Sequence, residues 1–149
     1  MDVRWLAFEE LAPGTAYALW RLRQQVFVVE QACPYPDLDG RDDEPSTRHL
    51  LLEEEGRLVG CLRLLDDGDA ARIGRVVVAP EARGRGLGEV LMRAAMDRVG
   101  GRRVRLDAQT GLGGWYAGFG FEVTGPEFLD DGVPHLPMER PGAAQTTGE

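Results

Sequence analysis

Lysine is absent from this 149-residue chain, so all 17 basic side chains are arginine. Basic charge is scarce overall. Against those 17 stand 25 acidic residues, a net charge of −8 and a pI near 4.8. A field of that sign repels phosphate polymers, which argues against a nucleic-acid partner and favours a cationic or amine-bearing one. No apolar run approaches the roughly 20 residues that cross a bilayer, so no membrane partner is expected. The opening Met1-Asp2-Val3-Arg4-Trp5 has neither an apolar stretch nor a cleavage site, so no export signal is expected. Cysteine is nearly absent too. Cys33 and Cys61 fall on different predicted elements and form neither a disulfide framework nor a metal-type pair, so no metal is expected and a reducing cytoplasm is the expected location.

What is present is enough for one domain with a sizeable core. Val3 to Phe8 reads as a short strand. Thr15 is the expected N-cap of a helix reaching Gln31, with Leu19, Leu22, Val26 and Val29 on one face, and Pro34 and Pro36 stop it. Cys33 to Ser46 is rich in proline and acid and reads as a long loop. Strand-like runs follow at Arg48 to Leu52, Leu58 to Leu65 and Ala71 to Ala79. The breakers between them, Glu55-Gly56-Arg57 and Asp66-Asp67-Gly68-Asp69, are too short for crossovers and imply antiparallel hairpins. Gly86 to Val99 has an apolar stripe at helical spacing, ended by Gly100-Gly101. Arg103 to Ala108 reads as a strand, Leu112 to Phe119 as a short helix, Phe121 to Thr124 as a strand, and His135 to Glu139 as a last strand. The expected fold is α/β: a single-domain three-layer α/β/α sandwich over residues 1–141 with a mixed, mostly antiparallel central sheet, followed by a disordered tail over 142–149.

The passage that carries chemistry runs from Val76 to Val99. A near-continuous apolar strand, with Val76, Val77 and Val78, leads through Arg83-Gly84-Arg85-Gly86-Leu87-Gly88-Glu89 into the amphipathic helix. Glycines at alternate positions let backbone amides crowd a ligand. The helix start adds unpaired N–H groups and the positive end of its dipole, which together suit a pyrophosphate. Arg83 and Arg85 offer charge-assisted contacts. Other readings fit less well. A P-loop needs a Lys followed by Ser or Thr, and a dinucleotide-type G-x-G-x-x-G starting at Gly84 meets Glu89 where its third glycine belongs. Asp107, about 20 residues on, keeps the dinucleotide reading open, but the antiparallel strands before the loop count against it. A solvated turn that merely caps a helix would also read Arg-Gly-Arg-Gly.

These residues resemble the GCN5-related N-acetyltransferase (GNAT) family. Arg83-Gly84-Arg85-Gly86-Leu87-Gly88 matches its central signature of Arg or Gln, two residues, Gly, one residue, then Gly or Ala. A second signature is matched by Tyr116-Ala117-Gly118-Phe119-Gly120-Phe121, with Trp115 in place of the usual Phe and Gln109 in place of an Asn. A narrower resemblance is to the small ElaA-type acetyltransferases. It rests on Leu22-Arg23, Val26 to Gln31, Cys33-Pro34-Tyr35, Asp37, Asp39-Gly40, Arg48-His49, Asp131-Gly132 and Pro134-His135.

The resemblance implies direct transfer from acetyl-CoA, as cosubstrate, to the amine of a small molecule or peptide, without an acyl-enzyme. It implies that Gly84, Arg85, Gly86, Leu87, Gly88 and Glu89 hold the pyrophosphate through their amides. Val76, Val77 and Val78 then present a strand edge to the pantetheine arm, Gln109 touches the same region, and Tyr116 is the general acid. A homodimer is among the partners it allows. If the acceptor is a lysine, it cannot be one of this chain's own.

The chemistry asks for such groups. Negative charge building on a thioester oxygen is stabilised by oriented N–H donors. A leaving thiolate, whose parent thiol has a pKa of about 8.5 if it resembles cysteine, is helped by a phenol. An alkyl ammonium, with a pKa of about 10.4, must first lose a proton. The carboxylate that several amine-acetylating relatives use is matched here by Val104, leaving Glu30, Asp39, His49 and His135. His49, opening a strand after the acidic loop, is the expected base, although a structural histidine bonded to that loop fits the position equally. The acidic run Asp37 to Glu44 reads either as an attractor for a cationic substrate or as a solvated face. A CoA-binding module without turnover remains the alternative to an enzyme.

Overall fold

Turns too short for a crossover tie residues 48–78 into an antiparallel meander, within the residues 1–143 that the computed structural model describes. The strands are β1 (Asp2–Leu6), β2 (Arg48–Glu54), β3 (Arg57–Asp66), β4 (Ala71–Val78), β5 (Val104–Gln109), β6 (Glu122–Val123), β7 (Phe128–Asp130) and β8 (Val133–Arg140). One sheet runs β1-β2-β3-β4-β5-β8-β6, with β7 paired to β8 beside that path. Every pairing is antiparallel except β4 with β5, which are parallel. The sheet is therefore mixed and mostly antiparallel, and the fold is the expected three-layer α/β/α sandwich.

Three helices cover it: α1 (Pro13–Arg23), α2 (Leu87–Val99) and α3 (Gly113–Ala117). Alternation along the strands sends neighbouring residues to opposite layers. On β2, His49 meets Trp20 of α1, with ring centroids 5.6 Å apart. A Cβ built on Gly60 of β3, whose register partner is Leu52, would lie 3.3 Å from Leu91 of α2. β3 is accordingly buried from Val59 to Leu65.

Three details depart from the sequence reading. Helix α1 begins two residues before Thr15, with Pro13 in its first turn and Ala12 as N-cap, because proline's fixed φ suits that position. Its continuation, Gln24–Glu30, is a π-helix, a widened coil that spacing of three and four residues does not reveal. The hairpin β7–β8 adds a strand before His135, across the tight turn at Asp131 and Gly132. At the start of the expected tail, the Ala143 amide donates to the Gly101 carbonyl over 2.6 Å, while residues 144–149 lie outside the described part.

Candidate active site

The site begins where two parallel strands part. β4 and β5 pair only through Ala71 with Val104 and Arg72 with Arg105. Beyond those pairs a bulge bends β4. From Cys61–Val77 to Arg63–Gly74, β3 advances two residues while β4 advances three. Arg75, inside the bulge, has φ +50°, a left-handed conformation rare for a residue with a side chain and characteristic of active-site bulges. The Ala79 amide donates to Val59 of β3 over 2.8 Å, so strand alternation turns the amides of Val78 and Val76 away from β3, into the gap that β5 has vacated.

That gap is a cavity of about 400 Å³, walled by Gly74 to Val76 of β4, Leu106, Asp107 and Gln109 of β5, Tyr116 of α3, and His135 of β8. Its neighbour, of about 230 Å³, is lined by Val78, Arg83, Gly84, Gly86 to Glu89 and Trp115. Here the strand–loop–helix passage does what its glycines suggest. Gly84 and Gly86 take φ +80° and +75°, and a Cβ on Gly88 would touch the Trp115 ring at 3.4 Å. Among the described residues no hydrogen bond engages the amides of Gly84 to Glu89. The first to find a carbonyl is that of Val90, on Gly86 at 3.3 Å. N–H groups left without a close carbonyl through the glycine turn and the first turn of α2 suit an anion, so the residues present fit a pyrophosphate.

The side chains of that loop are less free than its backbone. Arg83 is held by Glu30 at 2.6 and 2.8 Å, and Arg85 by Glu54 at 2.6 and 3.0 Å. Leu87 is in the core, and Glu89 pairs with Arg93 one turn on at 2.9 Å. Val76 and Val78 line the two concavities, but Val77 does not. Its side chain is 4% exposed and its backbone faces Cys61 of β3, so Val77 leaves the ligand-facing set. Gln109 lines the larger cavity and donates to Gln31 over 3.3 Å.

Tyr116 is 8% exposed, packs edge-on against Trp115 and Phe121, and still lines the cavity. No hydrogen bond engages its hydroxyl among the described residues, and burial pushes its pKa up to about 12. A phenol in that state stays protonated and has a proton to give. Cys61 is buried, and burial pushes its thiol up to about 12 as well, which keeps it from acting as a nucleophile.

The acidic loop is not simply a solvated face, although Asp43 is exposed. Asp37, Asp39 and Asp42 turn inward onto Arg23, Arg63 and Arg75. Arg23, 1% exposed, reaches Asp37 at 2.9 Å and Asp42 at 2.6 Å. Arg63 forks onto Asp39 with two contacts of 2.8 Å. Arg75 Nε lies 2.8 Å from Asp37, at an angle too bent for a hydrogen bond, and its Nη2 donates to the Asp37 carbonyl over 2.9 Å. Burial works to raise the carboxyls of Asp39 and Asp42, but the hydrogen bonds and charges of the arginines outweigh it and hold both below the usual range.

His49 belongs to this scaffold. Its Nε2–H donates to the Asp42 carbonyl over 3.0 Å, it is 1% exposed, and burial lowers its pKa. It does not reach the cavity wall, so the expectation of His49 as base is corrected. Glu30 is likewise off the cavity and held by Arg83, and Asp39 is committed to Arg63 and Arg75. His135 is the histidine that the fold brings to the cavity. The hairpin also delivers Asp130 and Asp131 to its mouth, two carboxylates that sequence reasoning missed. The Asp-Asp-Gly turn between apolar runs was their signal.

A family model described as "Acetyltransferase (GNAT) domain" matches residues 18–141. A UPF0039 protein of Mycobacterium tuberculosis is 48% identical over 142 residues, covering 92% of this chain and 91% of that protein. Protein ElaA of Escherichia coli is 39% identical over 142 residues, covering 91% and 93%. Its crystal structure superposes with a TM-score of 0.89, at 36% identity over 94% of this chain and 99% of that one. A crystal structure of an acyl-CoA N-acyltransferase from Pseudomonas aeruginosa also gives 0.89, at 38% identity and with the same coverage.

Proposed function

The chain belongs to the acetyltransferase (GNAT) family, in its ElaA-like group, and on that footing we propose that it moves an acetyl group from acetyl-CoA directly onto an amine, without an acyl-enzyme. One observation carries this reading. The anion cradle and the cavity adjoin along the same two elements, since Val78 and Val76 stand two apart on β4 and Trp115 and Tyr116 are neighbours on α3.

The amides of Gly84 to Glu89 take the pyrophosphate, and the pantetheine arm runs along the β4 edge between Val78 and Val76 towards Gln109. The Val76 amide, aimed into the gap by the bulge, donates to the thioester oxygen as negative charge gathers there, in a partly dry site where such a donor has most effect. The amine nitrogen bonds to the acyl carbon, the carbon–sulfur bond breaks, and Tyr116 hands its proton to the departing sulfur. Asp130 and Asp131 at the mouth favour an acceptor that arrives as an ammonium. A non-catalytic acyl-CoA-binding module is the competing reading. It is favoured by Val104, 0% exposed, an apolar residue at the position where the family resemblance implies that several amine-acetylating members use a carboxylate.

Release of free CoA thiol from acetyl-CoA across a panel of amines separates the two. Wild-type protein should turn over with at least one amine. Tyr116→Phe should lower kcat about 100-fold while leaving the KM for acetyl-CoA within about threefold. Tight CoA binding with no thiol from any amine would establish the module instead.

A further inference from the structure

The active site, as proposed, lacks a group to take the ammonium proton, and the cavity wall supplies one. We infer that His135 is the general base, receiving on Nε2 a proton from the acceptor's primary ammonium; the inference rests on the acetyl-transfer reading above.

Three features converge on that nitrogen. His135 faces Gln109 across the β5–β8 register, so it stands at the end of β5, where the cavity opens, and it lines that cavity. Its Nδ1 lies 2.7 Å from the Val133 carbonyl. A carbonyl only accepts, so Nδ1 carries the proton of the neutral ring and Nε2 carries the lone pair. Phe128, its register partner on β7, stacks on the ring with centroids 5.9 Å apart and planes 28° from parallel. The ring is thus clamped on one face and tied at one nitrogen, while the other nitrogen has no partner among the described residues.

Three other candidate bases are committed elsewhere. His49 is sealed in the core, Asp39 is forked by Arg63, and Asp107 lies 3.3 Å from Arg72. Asp130 and Asp131 at the mouth have no ion pair among the described residues. As a class, though, carboxylates with a pKa of about 3.9 are poorer bases towards an ammonium than imidazole at about 6.5. They serve better to draw the cation in.

The protons balance. The ammonium gives one proton to Nε2, and the neutral amine attacks the acyl carbon as the carbon–sulfur bond breaks. The nitrogen sheds a second proton as the amide forms. One of the two ends on the CoA sulfur by way of Tyr116, and the other leaves to solvent from the imidazolium.

His135→Asn tests this, because its side-chain amide keeps a donor near the Val133 carbonyl while the Nε2 lone pair is lost with the ring that stacks on Phe128. Two acceptors are compared: tyramine, an alkyl ammonium at neutral pH, and p-anisidine, an arylamine already neutral there. With tyramine at neutral pH, kcat/KM should fall about 100-fold. The deficit should shrink as pH rises and the amine loses its own proton. With p-anisidine the loss should stay within about fivefold, and the calorimetric Kd for CoA should match wild type. The other titratable groups that share the cavity, Asp39, Asp107, Asp130, Asp131, Cys33, Tyr35 and Tyr116, and its arginines, Arg41, Arg63, Arg72 and Arg75, remain in both proteins, so the difference between the profiles reports position 135. Full activity of the variant with tyramine, or equal losses with both acceptors at every pH, would overturn the assignment. A wild type that releases no CoA thiol with these or any amine of the panel would remove the acetyl-transfer reading, and His135 as base with it.

Discussion

Arg83 of the phosphate loop and Glu30 at the end of the π-helical segment, 53 positions apart, close on each other through hydrogen bonds of 2.6 and 2.8 Å. The arginine that would meet a pyrophosphate therefore already rests on a carboxylate. Both side chains are 43% exposed, so the pair contributes little to stability and competes on nearly even terms with an incoming anion.

It follows that Glu30→Gln should tighten CoA binding about threefold with Tm unchanged. Calorimetry at low salt reads the affinity, and raising the salt should erase the gain. An unchanged or weaker affinity would mean that the Arg83 side chain takes no part in holding the anion.

The buried arginine–aspartate cluster should govern acid stability. Asp39 and Asp42 sit below the ordinary carboxylate range despite burial, through Arg63 and Arg23. The folded protein thus binds fewer protons than the unfolded chain near pH 4. Their contribution is full above the unfolded pKa of about 3.9 and is lost as pH falls through the folded values. Arg23→Met removes the guanidinium that Asp37 and Asp42 share, and should cost about 3–5 kcal/mol at pH 7 because two buried carboxylates lose a partner. In urea melts the variant's deficit should narrow as pH drops towards 4 and those carboxylates protonate. A constant deficit would place the loss in packing.

The parts of the fold that lie close together in the chain were legible in it. Glycine and aspartate breakers announced the meander. Val76 to Val99 announced the cradle because strand, loop and helix are contiguous there. The parts that depend on distant partners were not. Asp37 to Glu44 looks solvated by composition, and only the fold brings Arg23, Arg63 and Arg75 over it. His49 and His135 look alike as residues after a loop, yet one falls on the inner face of a central strand and the other beside the β4–β5 gap. The bulge at Arg75 left no mark because its residue is neither glycine nor asparagine, and the neighbouring aspartates hold the conformation instead.

His49, removed from the chemistry, should show itself in stability. Burial lowers its pKa below the ordinary value of about 6.5, against the raising pull of Asp42. The unfolded chain then takes up this proton first as pH falls, so stability declines from about pH 6.5 downward. His49→Gln keeps a donor for the Asp42 carbonyl and cannot titrate. Its Tm should vary less than that of wild type between pH 7 and 5, with kcat for acetyl transfer within about twofold. A hundredfold loss of kcat in a variant of normal Tm would return His49 to the mechanism.

The cradle's backbone can be tested without touching a charge. Gly86 caps α2 at φ +75°, and a Cβ there would meet nothing within 4 Å. Gly86→Ala therefore introduces no clash, only the cost of holding a side-chain-bearing residue in the left-handed region, roughly 1 kcal/mol. The chain can relieve that cost by rotating the peptide, which would turn the Gly86 and Leu87 amides away from the anion that the cradle is proposed to hold. The expected result is a small loss of stability and about a tenfold weaker Kd for CoA, equivalent to about 1.4 kcal/mol. The loss should be no smaller for 3′,5′-ADP, a CoA fragment without the pyrophosphate, only if the cradle holds some other part of the cofactor. Equal weakening towards CoA and that fragment would thus move the pyrophosphate off these amides, whereas weakening confined to CoA is what converging backbone donors require.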